Sequence, residues 1–92
     1  MADEVYADAL KASARFMLAE LEFALTFCES ALVTSQPDRV KRNADNVRKA
    51  LETVRKVESR VPLTKAQEQE VREKTAKVES LLVQVDARWK SE

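Results

Sequence analysis

The chain has 92 residues, 16 Lys plus Arg against 16 Asp plus Glu, no Gly, no His, two Pro and one Cys. A chain this short forms one domain with one modest core, and without Gly it lacks the residue that phosphate-cradling and dinucleotide-binding loops need where the backbone turns to positive φ. Without His and with a single Cys it has no Ser-His-Asp or Cys-His site, no thiolate zinc site and no internal disulfide, so the sequence offers no catalytic residue, cofactor or metal ligand.

No segment approaches the run of ~18 apolar residues that spans a bilayer, and the opening residues MADEVYAD are acidic where a signal peptide is basic. The expectation is a cytoplasmic protein that makes no use of a membrane.

The first predicted helix covers about residues 3–34. Its apolar seam, Leu10, Ala14, Met17, Leu21, Ala24, Cys28 and Ala31, advances by alternating steps of four and three, the heptad spacing that keeps one stripe against neighbouring helices. Its apolar surface is wider than that seam. Leu18, Leu25 and Leu32 flank one side, and Phe16, Phe23 and Phe27 flank the other. At about 100° per residue, Phe16 and Phe23 lie about 130° from the seam centre, so in a monomer both rings reach water. Phe27 and the Leu row are near enough to be absorbed by the bundle. Ala12 and Ala19 beside the exposed rings would let another helix approach closely. Exposed aromatics of this kind are typical anchors of protein interfaces, and Phe16, Phe23, Phe27, Ala12 and Ala19 form the expected partner interface. Cys28 falls in the seam and reads as a small core residue. Tyr6 reads as an end plug.

The pattern stops and restarts at Ser35-Gln36-Pro37-Asp38, where Ser35 is placed to cap and Pro37 suits a first helical turn. A second helix follows over about 36–60, with the seam Val40, Ala44, Val47, Leu51, Val54 and Val61, broken by Glu58. One basic unit recurs every seven residues: Lys41-Arg42, Arg48-Lys49 and Arg55-Lys56. Two cationic rows therefore run along this helix. Residues 36–61 carry eight basic against four acidic groups, a charge of +4, whereas residues 1–35 carry two against six, a charge of −4. The remainder balances at six each. Arg42, Arg48, Lys49, Arg55 and Lys56 are candidate anion-binding residues. Long cations of this kind also cover neighbouring valines and pair with Glu or Asp. The overall neutrality and the lack of aromatics interleaved with this ridge argue against a nucleic-acid binder.

Pro62 ends the second helix, and Thr64-Lys65-Ala66-Gln67 spells a capping box that starts a third over about 65–90. Its seam runs Val71, Thr75, Val78, Leu82, Val85 and Trp89. Thr75 is polar, and its hydroxyl is expected to bond back to a backbone carbonyl. Trp89 is expected to plug the end near the first turn, with its indole N–H in water.

Links this short force antiparallel neighbours, so the predicted fold is an all-α, up-down-up three-helix bundle made by residues 1–92 as one domain. Folding at 35 and again at 62 stacks layers such as Met17, Val54 and Val71, or Leu21, Leu51 and Thr75. The expected function is a small protein-protein interaction or assembly module that self-associates as a homodimer through helix 1, or docks another helical protein. The alternative is a binder of nucleic acid or another anionic ligand through the helix 2 ridge. A small dimeric helical enzyme is the remote third reading. Three helices, the first one long, in about 90 residues resemble the helical chorismate mutases in size and shape. That resemblance implies a dimer binding a dianion through basic residues on the inner face of the first helix, where this chain instead has Met17, Leu21, Ala24 and Cys28. No small-molecule substrate is evident.

Overall fold

The computed structural model describes residues 2–90, with side chains described from residue 12 onward. Three helices form in order: α1 (Ala2–Val33), α2 (Pro37–Arg60) and α3 (Lys65–Lys90). Each packs on the other two, and α2 and α3 each meet α1 more extensively than they meet one another. The result is an antiparallel up-down-up bundle of 56 × 19 × 18 Å. It is the predicted fold, with helix ends within a residue of those expected.

The heptad seams become the core. Met17, Leu21, Ala24, Cys28 and Ala31 of α1 are sealed against Val40, Ala44, Val47, Leu51 and Val54 of α2 and Val71, Val78 and Val85 of α3. Among the described residues no polar or charged residue is fully buried, so apolar burial dominates cohesion. Each fully buried Leu, Val or Met contributes about 1.5–3 kcal/mol relative to exposure. The seam of α1 is small toward its C-terminal end, at Ala24, Cys28 and Ala31, all fully buried. The wider apolar face of α1 is absorbed as expected: Leu25 is buried, and Leu18, Leu32 and Phe27 are partly buried against the core. Ala50 is buried off the α2 seam, and Leu82 of α3 is only half-buried. Tyr6, Leu10 and Lys11 lie outside the described side chains.

The two turns are built differently. At the second, Thr64 Oγ1 accepts from the Gln67 amide at 3.1 Å and Gln67 Oε1 accepts from the Thr64 amide at 3.0 Å, the reciprocal bonds of the capping box. At the first, Ser35 does not cap. Gln36 takes the N-cap position with no side-chain bond, and Pro37 sits at the first helical position, where its missing N–H removes an orphan donor. The nearby hydroxyl that engages backbone is Thr34 Oγ1, which accepts from the Gln36 amide at 3.3 Å. The chain needs one more residue to turn than the cap assignment allowed.

Two polar expectations are corrected. The Thr75 hydroxyl makes no bond to a backbone carbonyl; it is buried without a partner. The Trp89 indole N–H donates to Asp86 Oδ1 at 2.8 Å rather than to water. No helix of the described residues is long and apolar enough to cross a membrane.

Candidate interaction surface on helix 1

The outer face of α1 carries a second heptad stripe that no neighbouring helix covers. Ala12, Phe16, Ala19 and Phe23 follow steps of four, three and four, and all four are exposed, with Phe16 at 46% and Phe23 at 59% of full exposure. An aromatic ring left half in water on a monomer forfeits much of the 150–250 Å² it can bury. Two such rings one heptad apart with alanines between them make a ridge with holes, the relief that another helix needs to seat side chains between side chains. Phe27, a turn further on, is half-buried against the core, so it forms the inner edge of this surface and not its centre. Val33 and Val83 are also exposed, on separate parts of the molecule, and sequence periodicity did not single them out.

The five candidate anion-binding residues of α2 fall in two rows with different surroundings, and Arg48 and Arg55 line one groove with Glu79 and Asp86 of α3. Arg48 pairs with Asp86 of α3, and Arg55 pairs with Glu79 at 2.9 Å. Lys41 completes this row, its ammonium 5.9 Å from the centroid of the Trp89 ring, with Lys90 at 5.5 Å. Helical side chains lean toward their own N-termini, so in antiparallel neighbours such partners meet across several residues of apparent offset. Asp86 is the hub of the row. Its partial burial would raise its pKa, but the hydrogen bonds from Trp89 and Arg48 and the charges of Arg48 and Lys90 outweigh that, and the net shift is downward. The other row divides again: Lys56 pairs with Glu52 within α2 at 3.2 Å, while Arg42 and Lys49 form no ion pair among the described residues.

Arg42 instead lines a groove between α1 and α2 with Arg39, Asn43, Thr26, Phe27, Ser30 and Thr34. The tertiary fold thus sets guanidinium groups beside an aromatic ring of α1, a juxtaposition absent from the sequence of α2 alone. On the opposite flank of α1, Glu22 accepts a hydrogen bond from Lys74 of α3, and that bond, with the charges of Lys74 and Lys77, lowers its pKa. At the top of the bundle the Arg88 guanidinium donates to the carbonyls of Ala31 and Thr34, satisfying acceptors that the end of α1 leaves open. Arg88 was not legible as a cap, because its partners are 57 and 54 residues away.

Cys28 is buried, and its thiol is pushed up to about 11 by burial first and by the negative charges of Glu29 and Asp86 second. That is the opposite of what a nucleophilic thiol requires. Among the described residues no group of three or more Cys, Asp or Glu side chains is placed to hold a metal ion. Compared with known proteins, the chain matches no family model, no curated protein and no solved structure.

Proposed function

We propose that the protein is a helix-docking module that self-associates through the outer face of α1, with Phe16 and Phe23 as anchors and Ala12 and Ala19 as the sites they approach. The observation that carries this reading is the exposure of two phenylalanines, spaced as a heptad, on a helix whose inner face is already satisfied. Interfaces concentrate their energy in such aromatic anchors, and a symmetric dimer is the commonest way a single chain covers one. The alternative of an anion-binding ridge is weakened, because Arg48, Arg55 and Lys56 are already engaged with carboxylates of the same chain.

Light scattering tests the reading directly. Wild-type protein is expected to run as a dimer at high concentration, and Phe16→Glu with Phe23→Glu as a monomer. Both positions are exposed in the monomer, so the double variant is expected to keep monomer stability within about 1 kcal/mol. A wild type that stays monomeric, together with a double variant that loses ~2 kcal/mol or more, would mean that those rings belong to the core.

A further inference from the structure

We infer, resting on the self-association proposed above, that the occupant of the α1 outer face is α1 of a second copy, lying antiparallel across a two-fold axis between residues 17 and 18. Three observations support that arrangement, and the first of them sets its centre. The first is steric. About a point between 17 and 18, Phe16 meets Ala19 of the partner subunit, and Phe23 meets Ala12 of the partner subunit. Each ring therefore faces a small residue, and no layer sets ring against ring or leaves alanines apart across a gap. A parallel pairing in register would do both.

The second is length. α1 has 32 residues, whereas α2 has 24 and α3 has 26. Because only Thr34, Ser35 and Gln36 join α1 to α2, the excess falls at the N-terminal end of α1, beyond the ends of its two neighbours. Two copies so placed overlap along the whole of α1, about 48 Å at 1.5 Å per residue, and each projecting end lies along the other bundle.

The third is charge. Positions 2–11 hold Asp3, Glu4 and Asp8 against Lys11 alone. In this register, positions 3, 4 and 8 come level with positions 32, 31 and 27 of the other α1. That is where Arg39 and Arg42 line a groove with Phe27, with no ion pair to either among the described residues. The N-terminal end of α2, which no side chain caps, adds the positive end of its dipole at the same place.

Distances between spin labels test orientation and register apart from association itself. A label at Ser30→Cys reports alone, because Cys28 is buried and its thiol stays protonated. In the antiparallel dimer the two copies of position 30 are 25 residues apart along the axis, which gives about 37 Å. A label at Arg15→Cys, on the exposed flank close to the axis, is expected at about 20 Å or less. A distance below about 20 Å at position 30 overturns the antiparallel register and leaves self-association standing, since parallel helices would sit about 8–10 Å apart. The absence of any dipolar signal, with a monomeric mass, overturns self-association itself. Arg39→Glu with Arg42→Glu is expected to weaken dimerisation at low salt about tenfold and to leave the monomer's melting unchanged. A dimer insensitive to that reversal and to salt would remove the charge argument.

Discussion

Thr75 shows what one polar atom costs in this bundle. It occupies a seam position between Val71 and Val78, both fully buried, and its Oγ1 is closed off from solvent without a partner. A buried hydroxyl left unsatisfied costs about 1–3 kcal/mol, whereas a methyl group of the same shape costs nothing in lost hydrogen bonds. Thr75→Val is therefore expected to raise stability by about 1 kcal/mol, read as a higher urea midpoint at unchanged slope. An unchanged or lower midpoint would show that the hydroxyl finds a partner in solution. The sequence placed Thr75 in the seam because position follows from spacing. Its bonding was not legible, because whether a threonine reaches its own helix's carbonyl depends on a rotamer that its neighbours choose.

At the scale of the helix, the two turns give a paired prediction. Thr64 makes both bonds of a capping box, so Thr64→Ala is expected to cost about 1 kcal/mol in chemical denaturation. Ser35 makes no cap, so Ser35→Ala is expected to change stability by no more than a few tenths of a kcal/mol. Equal losses at the two sites would mean that Ser35 caps α2 after all. The second turn was legible in full because a capping box is a local pattern of four residues, with Pro62 fixing what precedes it. The first was legible only to a residue or so. Thr34, Ser35 and Gln36 are all able to engage the free amides, and the choice among them depends on the angle at which α2 packs back on α1.

For the whole molecule, electrostatics link α2 to α3 through Asp86, which accepts from both Arg48 and Trp89. Its folded pKa lies below its ordinary value, so its contribution to stability is complete above that ordinary value, near 3.8, and is lost as pH falls through the lower folded value. Wild-type stability is thus expected to be insensitive to this group at neutral pH and to decline as pH drops below about 4. In Asp86→Asn, part of that acid-side slope should disappear, and the neutral-pH stability should fall. A variant with the wild-type slope would place the acid sensitivity at other carboxylates, Glu22 first among them. By itself, the sequence determined the number of helices, their direction, the seams and the surplus of apolar surface on α1, because each depends on spacing along a chain whose helical period is fixed. Only the tertiary structure decided which cations are neutralised and which stand beside an aromatic ring. Lys41 and Arg42 are adjacent in sequence, yet 100° of helical turn sends one toward Trp89 of α3 and the other toward Phe27 of α1, and that division depends on where α1 and α3 lie around α2.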